Sequence, residues 1–277
     1  MFLHTWKFHR GGLKMKRCTL VLLILIMVIF SFATVEYKGN FVENDVNGNA
    51  IYSVEVNEIQ IGYKLLGQGD PLLLICGLGM EMSQWDQTFI DILSATNQLI
   101  LFDNRGMGYT SDNDADYTFE QLVEDIKGLI EILEVNKPNV FGYSMGSVVA
   151  QITVLEYPQM VNKVVWHATG ISGNDVSLPF ASDSADIPVT IQKQMNANLS
   201  WSAPLEKYPE IKNDIMLLIG TDDTIVGVDS SLELAALVPG AWLIQIKGCT
   251  HSLHREKPVV AAEVVLDFLR YDLSYSK

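Results

Sequence analysis

Residues 139–150 read Asn139-Val140-Phe141-Gly142-Tyr143-Ser144-Met145-Gly146-Ser147-Val148-Val149-Ala150. The run up to Tyr143 has the continuous character of a strand buried on both faces of a sheet. From Ser147 to Tyr157 the pattern is that of a helix. Ser144 therefore falls on the turn between them, with a glycine two residues away on each side. Such a turn is strained, and side chains at positions 142 and 146 would collide with neighbouring strands. The helix N-terminus behind Ser144 aims backbone N–H groups and positive potential at any negative charge developing there.

Outward from this turn, short β-rich runs alternate with helical spacing. Residues 51–56 and 59–66 predict two strands joined by a tight turn. Residues 71–76, 99–103, 216–220 and 242–246 predict further strands, and another ends near His167. Phe119, Leu122, Val123, Ile126, Leu129, Ile130 and Leu133 form one helical stripe, with Thr118 as N-cap and Gln121 three residues later. A last helix is expected over 258–271, with Val260, Val264, Val265 and Leu269 facing inward. Strand–helix alternation means a parallel sheet with right-handed crossovers. Residues 171–213, rich in Ser, Asp, Asn and Pro, break the rhythm and read as a short lid with one helical piece near 189–198.

A serine hydroxyl is a weak nucleophile until a base takes its proton, and the base needs a third group to hold its tautomer. Beyond residue 35 the histidines are His167, His251 and His254. His251 ends Gly248-Cys249-Thr250-His251, between the last strand and the last helix. Gly220-Thr221-Asp222-Asp223 follows another strand and supplies an acid. His254 is expected in the first turn of the last helix, facing solvent, and His167 is expected to be a satisfied structural histidine. Cys249, His251 and His254 also spell C-x-H-x-x-H. No fourth ligand lies near in sequence, and a metal on His251 would leave Ser144 without a base, so no metal site is expected.

With these motifs the chain resembles the α/β-hydrolase superfamily, in its esterase and haloperoxidase-like branch, over roughly residues 50–272. The resemblance rests on Gly142-Tyr143-Ser144-Met145-Gly146, Asp103-Asn104-Arg105-Gly106-Met107-Gly108, Gly220-Thr221-Asp222-Asp223 and Gly248-Cys249-Thr250-His251. It implies the α/β-hydrolase fold: a mostly parallel central sheet, helices on both faces and a short lid insertion. It also implies a catalytic triad of Ser144, Asp223 and His251, the family spacing selecting Asp223 over Asp222. Backbone N–H groups of Leu78 and Met145 would form the oxyanion hole. Leu78 lies in Cys76-Gly77-Leu78-Gly79-Met80, where Cys76 stands in place of the family's usual histidine. Asp103 and Arg105 are expected to stabilise the turn after their strand. The implied reaction is cleavage of a small-molecule carboxylic ester through an acyl-enzyme, without a cofactor. Dehalogenation and epoxide hydrolysis would call for aspartate at position 144. Perhydrolysis, lactone opening and carbon–carbon cleavage at the same triad stay open, as does a ligand-binding protein with a slow triad.

The length of 277 residues suits one large α/β domain, expected over 50–277. Residues 18–35 are apolar and uncharged, and Lys7, Arg10, Lys14, Lys16 and Arg17 precede them with no acid. Residues 1–35 thus read as a signal or anchor segment, with Ser31-Phe32-Ala33 as a cleavage site and Met15 as an alternative start. A polar spacer is expected over 36–49. The domain would then be extracytoplasmic, secreted or anchored, and would meet a membrane only through that segment. The net charge is −14 although the leader is basic, so the remainder is more acidic still and excludes nucleic acid as a partner. Cys76 and Cys249 make no disulfide framework and are expected as separate buried thiols. Nothing in the sequence sets an oligomeric state.

Overall fold

Asn57 and Glu58 both take positive φ, 46° and 65°, and so close the expected tight turn between two antiparallel strands. It belongs to a computed structural model that describes residues 34–177 and 187–271. Among the described residues one sheet holds β1 (Asn40–Asn44), β2 (Ala50–Val56), β3 (Ile59–Leu66), β4 (Asp70–Ile75), β5 (Asn97–Phe102), β6 (Asn139–Tyr143), β7 (Val164–His167), β8 (Ile215–Gly220) and β9 (Trp242–Ile246). Their order in space is β1-β2-β3-β5-β4-β6-β7-β8-β9. Pairs from β1 through β3 to β5 are antiparallel, and every pair from β5 to β9 is parallel. Every residue of β5, β6, β7 and β8 is buried, which is why most of their length reads as apolar.

The helices are α1 (Gln87–Ser94), α2 (Phe119–Ile132), α3 (Met145–Glu156), α4 (Val189–Ser200), α5 (Asp229–Leu237), α6 (Leu253–Glu256) and α7 (Pro258–Arg270). One face of the sheet packs against α2, α3 and α5, the other against α1 and α7. The α2 stripe is buried as its spacing predicts, and Thr118 caps it by accepting the Gln121 N–H. The α7 stripe is rotated from the expected one. Val260 is exposed, and Ala261, Ala262, Val265, Leu266 and Phe268 face the sheet.

The chain reverses its direction across the sheet at β4. It passes from β4 to β5 on one side, then crosses to β6 on the other. The crevice beyond the carboxyl ends of β4 and β6 is where open α/β sheets bind ligands. The loops leaving those two strands carry Leu78 and Ser144.

Two boundaries differ from the sequence reading. The stretch 36–49 is no spacer, for it carries edge strand β1, and Tyr37 donates to the Ala50 and Leu65 carbonyls. Val35 belongs to the core as well, its N–H and C=O both held by the Gln98 side chain. The packed unit accordingly starts at Thr34. Polar edge strands lack the alternation that reveals a strand, because neither face of β1 is buried. The signal or anchor reading of residues 1–33 lies outside the described residues. Among the described residues no helix is long and apolar enough to cross a membrane.

Candidate active site

The turn at Ser144 is held in a conformation that the sequence makes obligatory. Ser144 sits at φ 52° and ψ −120°, a strained pair for a residue with a side chain. A Cβ on Gly142 would lie 2.3 Å from the Gly146 carbonyl oxygen, and one on Gly146 would lie 2.3 Å from the Ile75 oxygen. Both glycines are therefore forced by the close approach of β6, α3 and β4. The Ser144 N–H donates to the His167 carbonyl at 2.9 Å, which ties the turn to β7.

The structure brings Ser144, His251 and Asp223 into one line. The Ser144 hydroxyl donates to His251 Nε2 at 2.8 Å, and His251 Nδ1–H donates to Asp223 Oδ2 at 2.9 Å. Asp223 Oδ1 accepts the backbone N–H groups of Ile225 and Val226 at 2.9 and 3.2 Å. Burial would raise the Asp223 carboxyl, but the His251 hydrogen bond and charge, with those two amides, hold it below the usual carboxylate range. Asp222 is exposed and accepts only the Thr221 hydroxyl. Ser144 lines a cavity together with Leu78 and Met145. Neither the Leu78 nor the Met145 N–H has a hydrogen-bond partner among the described residues. A tetrahedral oxyanion needs two such free donors.

The cavity beside Ser144 is small, about 20 Å³, and its other walls include Val148, Val226, Trp201 and Asn198. Leu78 separates it from an open cleft of about 440 Å³ lined by Tyr143, Ile187, Pro188, Ile191 and Arg255. Two residues of α4 that the sequence reading did not single out meet this region. Gln194 Oε1 accepts the Gly79 N–H at 2.8 Å and so pins the loop that carries Leu78. Asn198, one turn later on the same helix face, reaches the small cavity. Their spacing of four was the available signal, in a lid helix whose buried face is polar.

His254 contradicts its expected place. It is fully buried, because Leu253–Glu256 forms a separate helical turn folded onto the sheet rather than the start of the last helix. His167 Nδ1–H donates to the Leu218 carbonyl at 3.0 Å, and His254 Nδ1–H donates to His167 Nε2 at 3.2 Å. Tyr143 packs against all three imidazoles, with ring centroids 5.1 Å from His167, 5.3 Å from His251 and 4.4 Å from His254. Burial lowers His167 to about 4 and holds His254 well below its usual range. Burial thus favours the neutral form of both, and neither imidazole hydrogen-bonds to Ser144 or Asp223.

Asp103 accepts the Met82 and Tyr109 amides, and burial nonetheless raises its carboxyl to about 6. Arg105 grips Asp125 through two hydrogen bonds of 2.7 and 2.9 Å, away from the nucleophile. Both thus brace the turn after β5. Cys76 and Cys249 are separate buried thiols. Among the described residues no cluster of His, Cys, Asp or Glu could hold a metal ion.

A family profile described as alpha/beta hydrolase fold matches residues 70–194. Together with the sheet order and the turn at Ser144, that match decides the assignment. The chain has the α/β-hydrolase fold. A protein of Mycobacterium tuberculosis named as a candidate non-heme bromoperoxidase is 36% identical over 112 residues, 40% of this hydrolase and 42% of that relative. The matched stretch is thus less than half of the relative's length. The 2-hydroxy-6-oxo-2,4-heptadienoate hydrolase of Pseudomonas putida is 22% identical, covering 81% of this chain and 98% of its own. The solved meta-cleavage product hydrolase of Pseudomonas fluorescens IP01 superposes with a TM-score of 0.69 at 22% identity, covering 78% and 96% of the two chains. These likenesses place this hydrolase by fold.

Proposed function

We propose that this hydrolase cleaves small carboxylic esters through an acyl-enzyme. The reading is carried by the unbroken line from Asp223 through His251 to the Ser144 hydroxyl, with two unpaired N–H groups facing the same cavity. Ser144 Oγ attacks the ester carbonyl while His251 Nε2 takes its proton, and Asp223 holds the imidazole in that tautomer. The Leu78 and Met145 amides stabilise the tetrahedral oxyanion. His251 then protonates the departing alcohol, which leaves through the open cleft. A water, deprotonated by the same base, hydrolyses the acyl-enzyme and restores Ser144. No step calls on a cofactor.

The narrow cavity suits the acyl group and the wide cleft the alcohol. Short acyl chains should therefore outrun long ones across a series of p-nitrophenyl esters, and emulsified triglyceride should give no interfacial activation. A fluorophosphonate probe should label Ser144, and Ser144→Ala should abolish both labelling and ester turnover. Labelling that persists in the alanine variant would sink the assignment. Turnover of lactones or carbon–carbon substrates with none of esters would move the same triad to another reaction.

The acidic domain and the basic, apolar leader support an extracytoplasmic enzyme, secreted or anchored by residues before Thr34. A fusion reporter active only in the cytosol would refute that placement.

A further inference from the structure

The buried face of α4 is unusual for a lid. An apolar helix would seal the site more cheaply, yet the buried residues of α4 are Gln194, Ala197 and Asn198. Asn198 is only 5% exposed and lines the cavity that holds Ser144, Leu78 and Met145. No hydrogen bond joins its side-chain amide to another described residue, and, unlike Gln194 Nε2, that amide is not among the fully buried unpaired atoms, so it stays accessible from the cavity. The other walls offer little to pair it with: Val148, Val176, Val226 and Trp201 are apolar, and Ser172 Oγ already accepts the Asn174 N–H. An amide without a protein partner gains a hydrogen bond from whatever water or ligand enters the cavity beside it.

We infer that the acyl subsite selects a short acyl group with an oxygen on the carbon next to the carbonyl, recognised by the Asn198 amide. This rests on the ester reading above. The cavity of about 20 Å³ has room for one or two water-sized groups. With the carbonyl oxygen on the Leu78 and Met145 amides, that space takes the second carbon and one substituent. An alkyl substituent shuts out water and leaves Asn198 unpaired. A hydroxyl both donates and accepts, and a primary amide offers both an acceptor and a donor to meet it. Sites built to hydrogen-bond a hydroxyl discriminate strongly against analogues that lack it, because their own polar groups are then stranded.

The test compares ethyl glycolate with ethyl propionate, which have equal numbers of heavy atoms and differ by hydroxyl against methyl. Each kcat/KM, followed by pH-stat, is divided by the rate of that ester with hydroxide to remove intrinsic reactivity. The native chain should favour glycolate by about tenfold or more, and Asn198→Leu should bring the ratio to near one. A native ratio at or below one overturns the proposal, as does a ratio unchanged in Asn198→Leu. Asn198→Gln, which displaces the amide by one methylene, should also lower the ratio and serves if the leucine variant does not fold.

If neither ester is turned over, the ester reading fails separately, and binding still decides the subsite. Ligand-observed NMR titration of Ser144→Ala with glycolamide and propionamide should show tighter glycolamide binding, lost when Asn198→Leu is added. Equal binding of the two amides overturns the proposal.

Discussion

Ser144, Asp223 and His251 leave the ends of β6, β8 and β9 within a few residues, and each finds its partner in the free protein. Gln194 and Asn198 approach the same cavity on α4, within an insertion between β7 and β8. There, the Gln194 amide is half paired, its Nε2 buried without a partner, and no hydrogen bond joins the Asn198 amide to another described residue. Catalytic atoms must be held to a fraction of an ångström, and strand ends in a buried sheet supply that rigidity. Groups that read a substrate are completed by it, so they stand unpaired in its absence. On the proposed reading, the contrast divides the molecule into a sheet side that would do chemistry and a lid side that would choose what receives it.

The largest expected effect is on the sheet side. Asp223→Asn should lower kcat by about 10⁴-fold, because asparagine cannot hold the His251 tautomer that accepts the Ser144 proton. Steady-state ester kinetics with circular dichroism as a folding control would check this; a loss under tenfold would mean another group orients His251. Next comes Gly146→Ala, whose new Cβ would press on the Ile75 carbonyl at 2.3 Å. Its cost should be about 1–3 kcal/mol or more, read as a lowered thermal midpoint. Gln194→Leu should act through the lid, freeing the Gly79 amide and the Leu78 loop. A loss of about tenfold in kcat with little change in KM is expected, since an oxyanion contact matters most in the transition state. A change confined to KM would instead place Gln194 in ground-state binding.

The smallest effect concerns acid stability. His167 is held at about 4 by burial, so the unfolded chain takes up its proton first as pH falls from about 6.5, and stability is lost down to about 4. Asp103 is held up at about 6, so there the folded chain binds its proton first, and stability rises as pH falls from about 6 towards 4. The two contributions oppose each other over one window. His167→Gln should flatten the acid loss of the thermal midpoint, and Asp103→Asn should steepen it. Asp223, held low, adds a loss only below the usual carboxylate range.

The strained serine turn, the order of the motifs and the parallel strands were all legible along the chain. Each rests on local physics: glycines where Cβ atoms cannot fit, apolar runs where both faces are buried, and Asp223 and His251 on turns leaving successive strands. Burial of His254, the rotation of α7 and the docking of Val35 on Gln98 were not legible. Each depends on a surface distant in sequence, as when His254 turns inward to meet His167 on β7. β1 stayed hidden because an exposed edge strand carries no apolar alternation. Sequence by itself thus determined the fold class and which side chains could form the catalytic line, since strand ends impose those positions. Only tertiary structure decided how small the cavity beside Ser144 is and that Asn198 lines it, because a cavity is the space left between elements that no single segment encodes.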